Sequence, residues 1–159
     1  MSDARNSLRF LPVSLNITGK KILIVGGGKV ASHKLAGIKG FSDQITVLAP
    51  YVNEDILNDP LLIIYLKKYE KRDLENFDLV YACTNNETIN ATIKKDASSM
   101  GILVNVADKP ELCDFFSPAV YREGVMTIAV SSGARDVKRA VKLRNTIKDF
   151  LQHDQSCNL

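Results

Sequence analysis

Lys21-Ile22-Leu23-Ile24-Val25-Gly26-Gly27-Gly28-Lys29-Val30-Ala31 is the stretch that decides the fold. Ile22 to Val25 form an unbroken apolar run rich in β-branched residues, the pattern of a strand covered on both faces. Three glycines follow at once. From Lys29 to Lys39 the apolar residues return at helical spacing, with Val30, Ala31, Leu35 and Ile38 on one face and Gly40 as the stop. Gly26 to Ala31 fit G-x-G-x-x-A in the context that gives the pattern meaning, a strand before it and a helix after it. Gly26 makes the tight turn, Gly28 lets the backbone approach a pyrophosphate, and Ala31 lets the helix lie close to the strand. The free N–H groups of the first helical turn then face the anion. A glycine-rich turn that holds no ligand is the plain alternative. The missing G-K-[ST] ending excludes a P-loop.

Further strands are expected at Gln44–Ala49, Leu61–Leu66, Asp78–Cys83 and Ile102–Val106. Between them fall a short helix or loop at Tyr51–Asp59, one helical turn at Leu74–Phe77, and a helix at Glu87–Met100 capped by Asn86 and stopped by Gly101. Leu8 to Asn16, with Phe10, Leu11, Val13 and Leu15 around Pro12, are expected to lead in and pack on the first strand. Strands alternating with helices imply an α/β fold, a Rossmann-type parallel sheet with helices on both faces. After Pro110 the rhythm changes to two strands, Ser117–Tyr121 and Met126–Val130, joined at Arg122-Glu123-Gly124. A last helix is expected at Asp136–Leu151, with Val137, Ala140, Val141, Ile147 and Leu151 on one face, and a fraying polar tail from Gln152. The expected domains are residues 1–113 and a small α+β segment, 114–159.

The chain has 159 residues, 45% hydrophobic and 25% charged, enough for a core without disulfides or structural metal. A net charge of +3 argues against nucleic acid as partner. No apolar run reaches membrane-spanning length. Cys83, Cys113 and Cys157 show neither disulfide nor zinc spacing. A polar start without a signal-peptide pattern completes the expectation of a soluble, cytoplasmic protein with reduced thiols. His33 and His153 lack spaced partners, so no metal site is expected.

In a Rossmann sheet the ligand lies at the carboxyl ends of the strands. The loops there are Gly26–Lys29, Ala49–Tyr51, Thr84–Asn86 and Asn105–Lys109. An NAD site usually carries Asp or Glu after the second strand, for the ribose hydroxyls. Here Ala49-Pro50-Tyr51 stand in that place, and no arginine is there to favour NADP. Asp108 is the one evident acid–base group in these loops, though an Asp that merely starts the turn before Lys109-Pro110 reads as well.

Phe10-Leu11-Pro12-Val13, Val25 to Ala31 with Lys34, Ala82-Cys83-Thr84-Asn85, Asn105-Val106-Ala107-Asp108, Phe115 to Pro118, and Ala129-Val130-Ser131-Ser132-Gly133 occur in this order. Together they resemble the precorrin-2 dehydrogenase part of siroheme synthase, from about Leu8 to Leu151. The resemblance implies oxidation of precorrin-2 to sirohydrochlorin with NAD as hydride acceptor, and a homodimer built by the segment after the Rossmann domain. It makes Asp108 the catalytic residue. The cofactor-binding set is Gly26, Gly27, Gly28, Lys29, Val30, Pro50, Tyr51, Thr84, Asn85, Asn105 and Val106. The substrate-binding set is Asp108, Lys109, Ser131, Ser132 and Gly133, with Arg122, Arg135, Lys138 and Arg139 as further candidates for a cationic rim. Relatives commonly have Ser-Ser-Gly-Gly where this chain has Ser131-Ser132-Gly133-Ala134. They also usually continue into a helical domain, whereas this sequence stops at Leu159. The alternatives are a bifunctional dehydrogenase–ferrochelatase and a non-catalytic NAD- or tetrapyrrole-binding regulator.

Overall fold

The computed structural model describes residues 9–107 and 109–156, and side chains as far as His153. Asp108 therefore lies outside the described residues. Two compact units are formed, one from Leu11–Phe115 and the other from Phe116 onward together with Phe10.

In the first unit β1 (Ile22–Val25) is central, and all four residues are buried. Its neighbours, both parallel, are β2 (Ile45–Leu48) and β4 (Leu79–Ala82), with Ile22 level with Ile45 and with Leu79. β3 (Ile63–Tyr65) and β5 (Leu103–Val106) complete the order β3-β2-β1-β4-β5. Period-2 alternation sends Ile22 and Ile24 to one face, where they meet Ala31, Leu35 and Ile38 of α1 (Lys29–Ile38) and Ile56 of α2 (Glu54–Leu57). Leu23 and Val25 go to the other face and meet Ile93 and Ala97 of α3 (Glu87–Ser99). Each fully buried Ile, Leu or Val contributes about 1.5–3 kcal/mol. Successive strands move outward from β1 through β2 to β3, and in the opposite direction from β4 to β5. Right-handed crossovers then put α1 and α3 on opposite faces. The order reverses between β1 and β4, and a crevice opens at the carboxyl ends of those two strands.

Local chemistry sets the element ends. Asn53 and Asn86 cap α2 and α3, their side chains accepting from the Ile56 and Ile89 N–H groups. At the end of α3 the Ile102 N–H returns to the Ala97 carbonyl and the Gly101 N–H to Ser98, a Schellman closure. The expected turn at Leu74–Phe77 lies earlier, as a 3-10 turn at Lys71–Leu74. Asp73 accepts the Glu70 N–H at 2.8 Å, and Leu74, fully buried, anchors the turn to the core. The lead-in does not pack on β1: Leu11 and Val13 are 82% and 73% exposed. Ile17 is the residue that reaches the core, held by the turn in which Lys20 N–H meets the Ile17 carbonyl. Asp114 accepts the Val104 N–H and Phe115 sits edge-on to Tyr81, so both stay with the sheet.

The second unit is an antiparallel hairpin, β6 (Ala119–Glu123) and β7 (Met126–Val130), with α4 (Val137–Ser156). Glu123 pairs with Met126, so the turn is Gly124-Val125, and Arg122 and Glu123 belong to the strand. Asp136 caps α4 by accepting the Arg139 N–H at 2.8 Å, and the Arg144 guanidinium donates to the Val120 carbonyl. The helix continues to Ser156, past the tail expected from Gln152. The expected apolar face is only partly covered. Ala140 is buried, whereas Val137 is 62% exposed. No described helix is long and apolar enough to cross a membrane.

Candidate functional site

A cavity of about 950 Å³ lies in the first unit at the carboxyl ends of the strands. Gly26, Gly27, Gly28, Lys29 and Val30 form its floor; Leu48, Ala49, Pro50 and Tyr51 line one side, and Cys83, Thr84 and Asn85 another. Most of the expected cofactor-binding residues are thus brought together. Asn105 and Val106 are not among the lining residues; both are buried in β5. The Asn105 amide donates to the Phe115 carbonyl at 2.9 Å, and its own carbonyl oxygen is buried without a partner among the described residues.

The three glycines do different work. Gly26 has φ +131, and a Cβ there would lie 2.4 Å from the Cys83 carbonyl oxygen. A Cβ on Gly27 would lie 2.2 Å from the Tyr51 carbonyl oxygen. These two let the turn nest against β4 and against the loop after β2, where the Asn53 N–H also bonds the Gly27 carbonyl at 2.9 Å. At Gly28, which lines the cavity, a Cβ would meet nothing within 4 Å. Gly28 is the N-cap of α1 and offers no side-chain cap, and the first turn of that helix carries no acid. The two other helices of this unit are capped by asparagine. α1 thus presents bare N–H groups and its positive dipole end to the cavity, and this arrangement fits a dinucleotide pyrophosphate.

Val30, expected on the apolar face of α1 and in the cofactor-binding set, is 38% exposed and lines the cavity. A helix's first turn overhangs the strand end, so the same helical face meets core below and crevice above. At the rim, Thr84 and Asn90 are tied together, Thr84 Oγ1 donating to Asn90 Oδ1 at 2.7 Å and the Asn90 amide donating to the Thr84 carbonyl. That lock fixes the β4–α3 loop. Lys68, Tyr69, Thr88, Ile89 and Thr92 also line the cavity and were not expected there. The loop after β3 ends on the same sheet edge as the glycine turn, and that rule alone would have found Lys68 and Tyr69.

Lys109 pairs with Glu87 at 3.0 Å, and the hydrogen bond and charge of Glu87 hold its pKa above the usual lysine value. Burial pushes the Cys113 thiol up, and the thiol exchanges hydrogen bonds with the Val106 backbone. Ser131, Ser132 and Gly133 belong to the second unit. Ser131 Oγ accepts the Gly133 N–H at 3.1 Å, Ser132 Oγ accepts the Asp136 N–H at 2.9 Å, and Ala134 holds φ +62. Among the described residues no His, Cys, Asp and Glu cluster suited to a metal is present.

Comparison with known proteins agrees with this geometry. The chain is 35% identical over 148 residues to the siroheme synthase of Ectopseudomonas mendocina and 31% identical over 147 residues to that of Nitrosococcus oceani. Each match covers 91% of this chain and 31% of the relative, so the chain spans about a third of the length of these relatives. The solved structure of "SirC, precorrin-2 dehydrogenase" superposes with a TM-score of 0.73 at 25% identity, over 92% of this chain and 76% of that one. Residues 13–119 match the family model described as "Putative NAD(P)-binding", a span that contains the whole five-stranded sheet and every residue lining the cavity. The chain belongs to this NAD(P)-binding family.

Proposed function

We propose that this chain oxidises precorrin-2 to sirohydrochlorin, with NAD as hydride acceptor and Asp108 as the acid–base group. The observation that carries the reading is the likeness to SirC across nearly the whole chain, with the glycine-floored cavity present in this one. NAD supplies the hydride-accepting chemistry when bound. The protein supplies position. The first-turn N–H groups of α1 hold the pyrophosphate, Gly28 permits its approach, and Val30, Pro50 and Tyr51 flank the nucleotide and exclude water. Precorrin-2 gives up a hydride and a proton. The Asp108 carboxylate, next but one after Val106 in sequence, accepts the proton.

The test is anaerobic: purified chain, precorrin-2 and NAD+, with sirohydrochlorin followed by its absorbance. Turnover supports the reading, and its absence refutes it. Asp108→Ala should lose about a hundredfold or more in rate while still binding NAD+; an unchanged rate removes Asp108 from the mechanism. The KM for precorrin-2 of Ser132→Ala separately checks the substrate role of Ser131 to Gly133.

The proposal includes a homodimer formed through the second unit. In support, the second unit exposes the apolar side chains of Val125, Met126, Val137 and Phe150, at 96%, 69%, 62% and 68%, which a subunit contact would bury. Sedimentation should give a dimer that Phe150→Asp shifts toward monomer; a wild-type monomer refutes it.

A further inference from the structure

The cavity has an end that the pyrophosphate reading leaves unused. There the loop after β3 contributes Lys68 and Tyr69, facing Thr88, Ile89 and Thr92 of α3. Tyr69 is fixed in place: its ring packs on the core and its hydroxyl donates to Asp96 Oδ2 at 3.0 Å. Lys68 is exposed, and among the described residues its ammonium has neither an ion pair nor a hydrogen bond. The adjacent Lys67 is instead taken up by Asp73 at 2.7 Å and Glu70 at 3.7 Å.

Among the described residues no carboxylate lines the cavity. Of the acids close in sequence to its lining, Asp96 is engaged by Tyr69, Glu70 by Arg72 and Lys67, and Glu87 by Lys109, while Glu54 and Asp55 of α2 are not among the lining residues. In an NAD-selective Rossmann site the carboxylate after β2 binds the ribose diol and repels a 2′-phosphate. Ala49-Pro50-Tyr51 provide no such charge. Among the described lining residues a 2′-phosphate entering here meets no negative side chain and an uncommitted ammonium, which attracts phosphate as a point charge.

We infer that Lys68 sets the nucleotide preference of this cavity, and that the cavity accepts NADP with an affinity within about tenfold of its affinity for NAD. The inference rests on the reading of this cavity as the dinucleotide site. It predicts that discrimination is weak because the repulsive half of the usual device is missing, and that a carboxylate placed at position 68 restores it.

The experiment is isothermal calorimetry on the full chain with NAD+ and NADP+ as separate titrants, for wild type, Lys68→Ala and Lys68→Glu. Circular dichroism confirms folding; Lys68 is exposed and its removal breaks no described contact. The wild-type ratio Kd(NADP)/Kd(NAD) should fall below about ten, rise severalfold in Lys68→Ala, and rise by about a further tenfold in Lys68→Glu. NADP+ binding a hundredfold or more weaker than NAD+ in the wild type overturns the inference and leaves the nucleotide site standing. A ratio unmoved in Lys68→Glu overturns the role of Lys68. If neither nucleotide binds, the inference falls together with the site.

Discussion

Replacing the three turn glycines one at a time by alanine separates folding from binding at a single motif. At Gly26 a new Cβ would sit 2.4 Å from the Cys83 carbonyl oxygen and 2.6 Å from its carbon, both backbone atoms of the segment that closes β4. Neither can swing away as a side chain would. The φ of +131 adds strain that only glycine escapes. Overpacking of this kind costs about 1–3 kcal/mol and backbone strain about as much again, so Gly26→Ala should lose about 4 kcal/mol. For a chain of this size that corresponds to a fall in Tm of about 10 °C. Gly27→Ala meets the Tyr51 carbonyl oxygen at 2.2 Å and Val52 Cα at 2.7 Å, without the φ strain. It should lose about 2–3 kcal/mol and displace the loop after β2. Gly28 behaves differently. Its φ of −97 and ψ of −165 suit any residue, and its Cβ would meet open space. Gly28→Ala should change Tm little, because the narrower unfolded ensemble, about 0.5 kcal/mol, offsets the poorer fit of alanine at the N-cap. Its methyl would occupy the cradle in front of the bare N–H groups, and NAD+ affinity should fall about 10- to 100-fold, or about 1.4–2.7 kcal/mol. Thermal melts of the free protein and calorimetric titration of NAD+ read the two effects separately. A Gly28→Ala protein that melts as early as Gly26→Ala, or that binds NAD+ as tightly as wild type, refutes the division of labour among the glycines.

Two further outcomes follow from local chemistry. Asp78 accepts from the Lys20 ammonium at 2.7 Å and the Lys21 N–H at 2.9 Å, in that order the main causes holding its pKa below the ordinary 3.8. Because the folded value is depressed, the stabilisation is present above pH 3.8 and is lost as pH falls through the folded value; urea midpoints of wild type and Asp78→Asn should differ at pH 7 and converge in acid, and a constant gap refutes this. Ala134 holds φ +62, where a Cβ is disfavoured; Ala134→Gly should raise the calorimetric stability of the chain by about 0.5–1 kcal/mol, and a lower Tm would show that the turn tolerates alanine.

Fold and site were legible in the sequence to different degrees, for a physical reason. A strand buried on both faces must be apolar throughout, and Ile22 to Val25 state that directly. Asn86 and Gly101 mark the ends of α3 through their own side-chain and backbone chemistry. Val30, on the apolar face of α1 and in the expected cofactor-binding set, lines the cavity because that face turns from core to cavity within its first turn. The longer reach of α4 was hidden because a polar helix end and a polar tail have the same composition. Lys68 and Tyr69 were missed because nothing in their own segment marks them. Their place after the carboxyl end of β3 is what puts them on the ligand edge, and the strand order β3-β2-β1-β4-β5 sets that end next to the end of β2. The same order explains why the absent acid after β2 has a consequence beyond weaker ribose recognition. The adjoining loop carries the second lysine among the described lining residues, so on our proposal the missing carboxylate leaves a positive charge to govern that end of the cavity. On the inference drawn above, selectivity is decided by two neighbouring loops jointly.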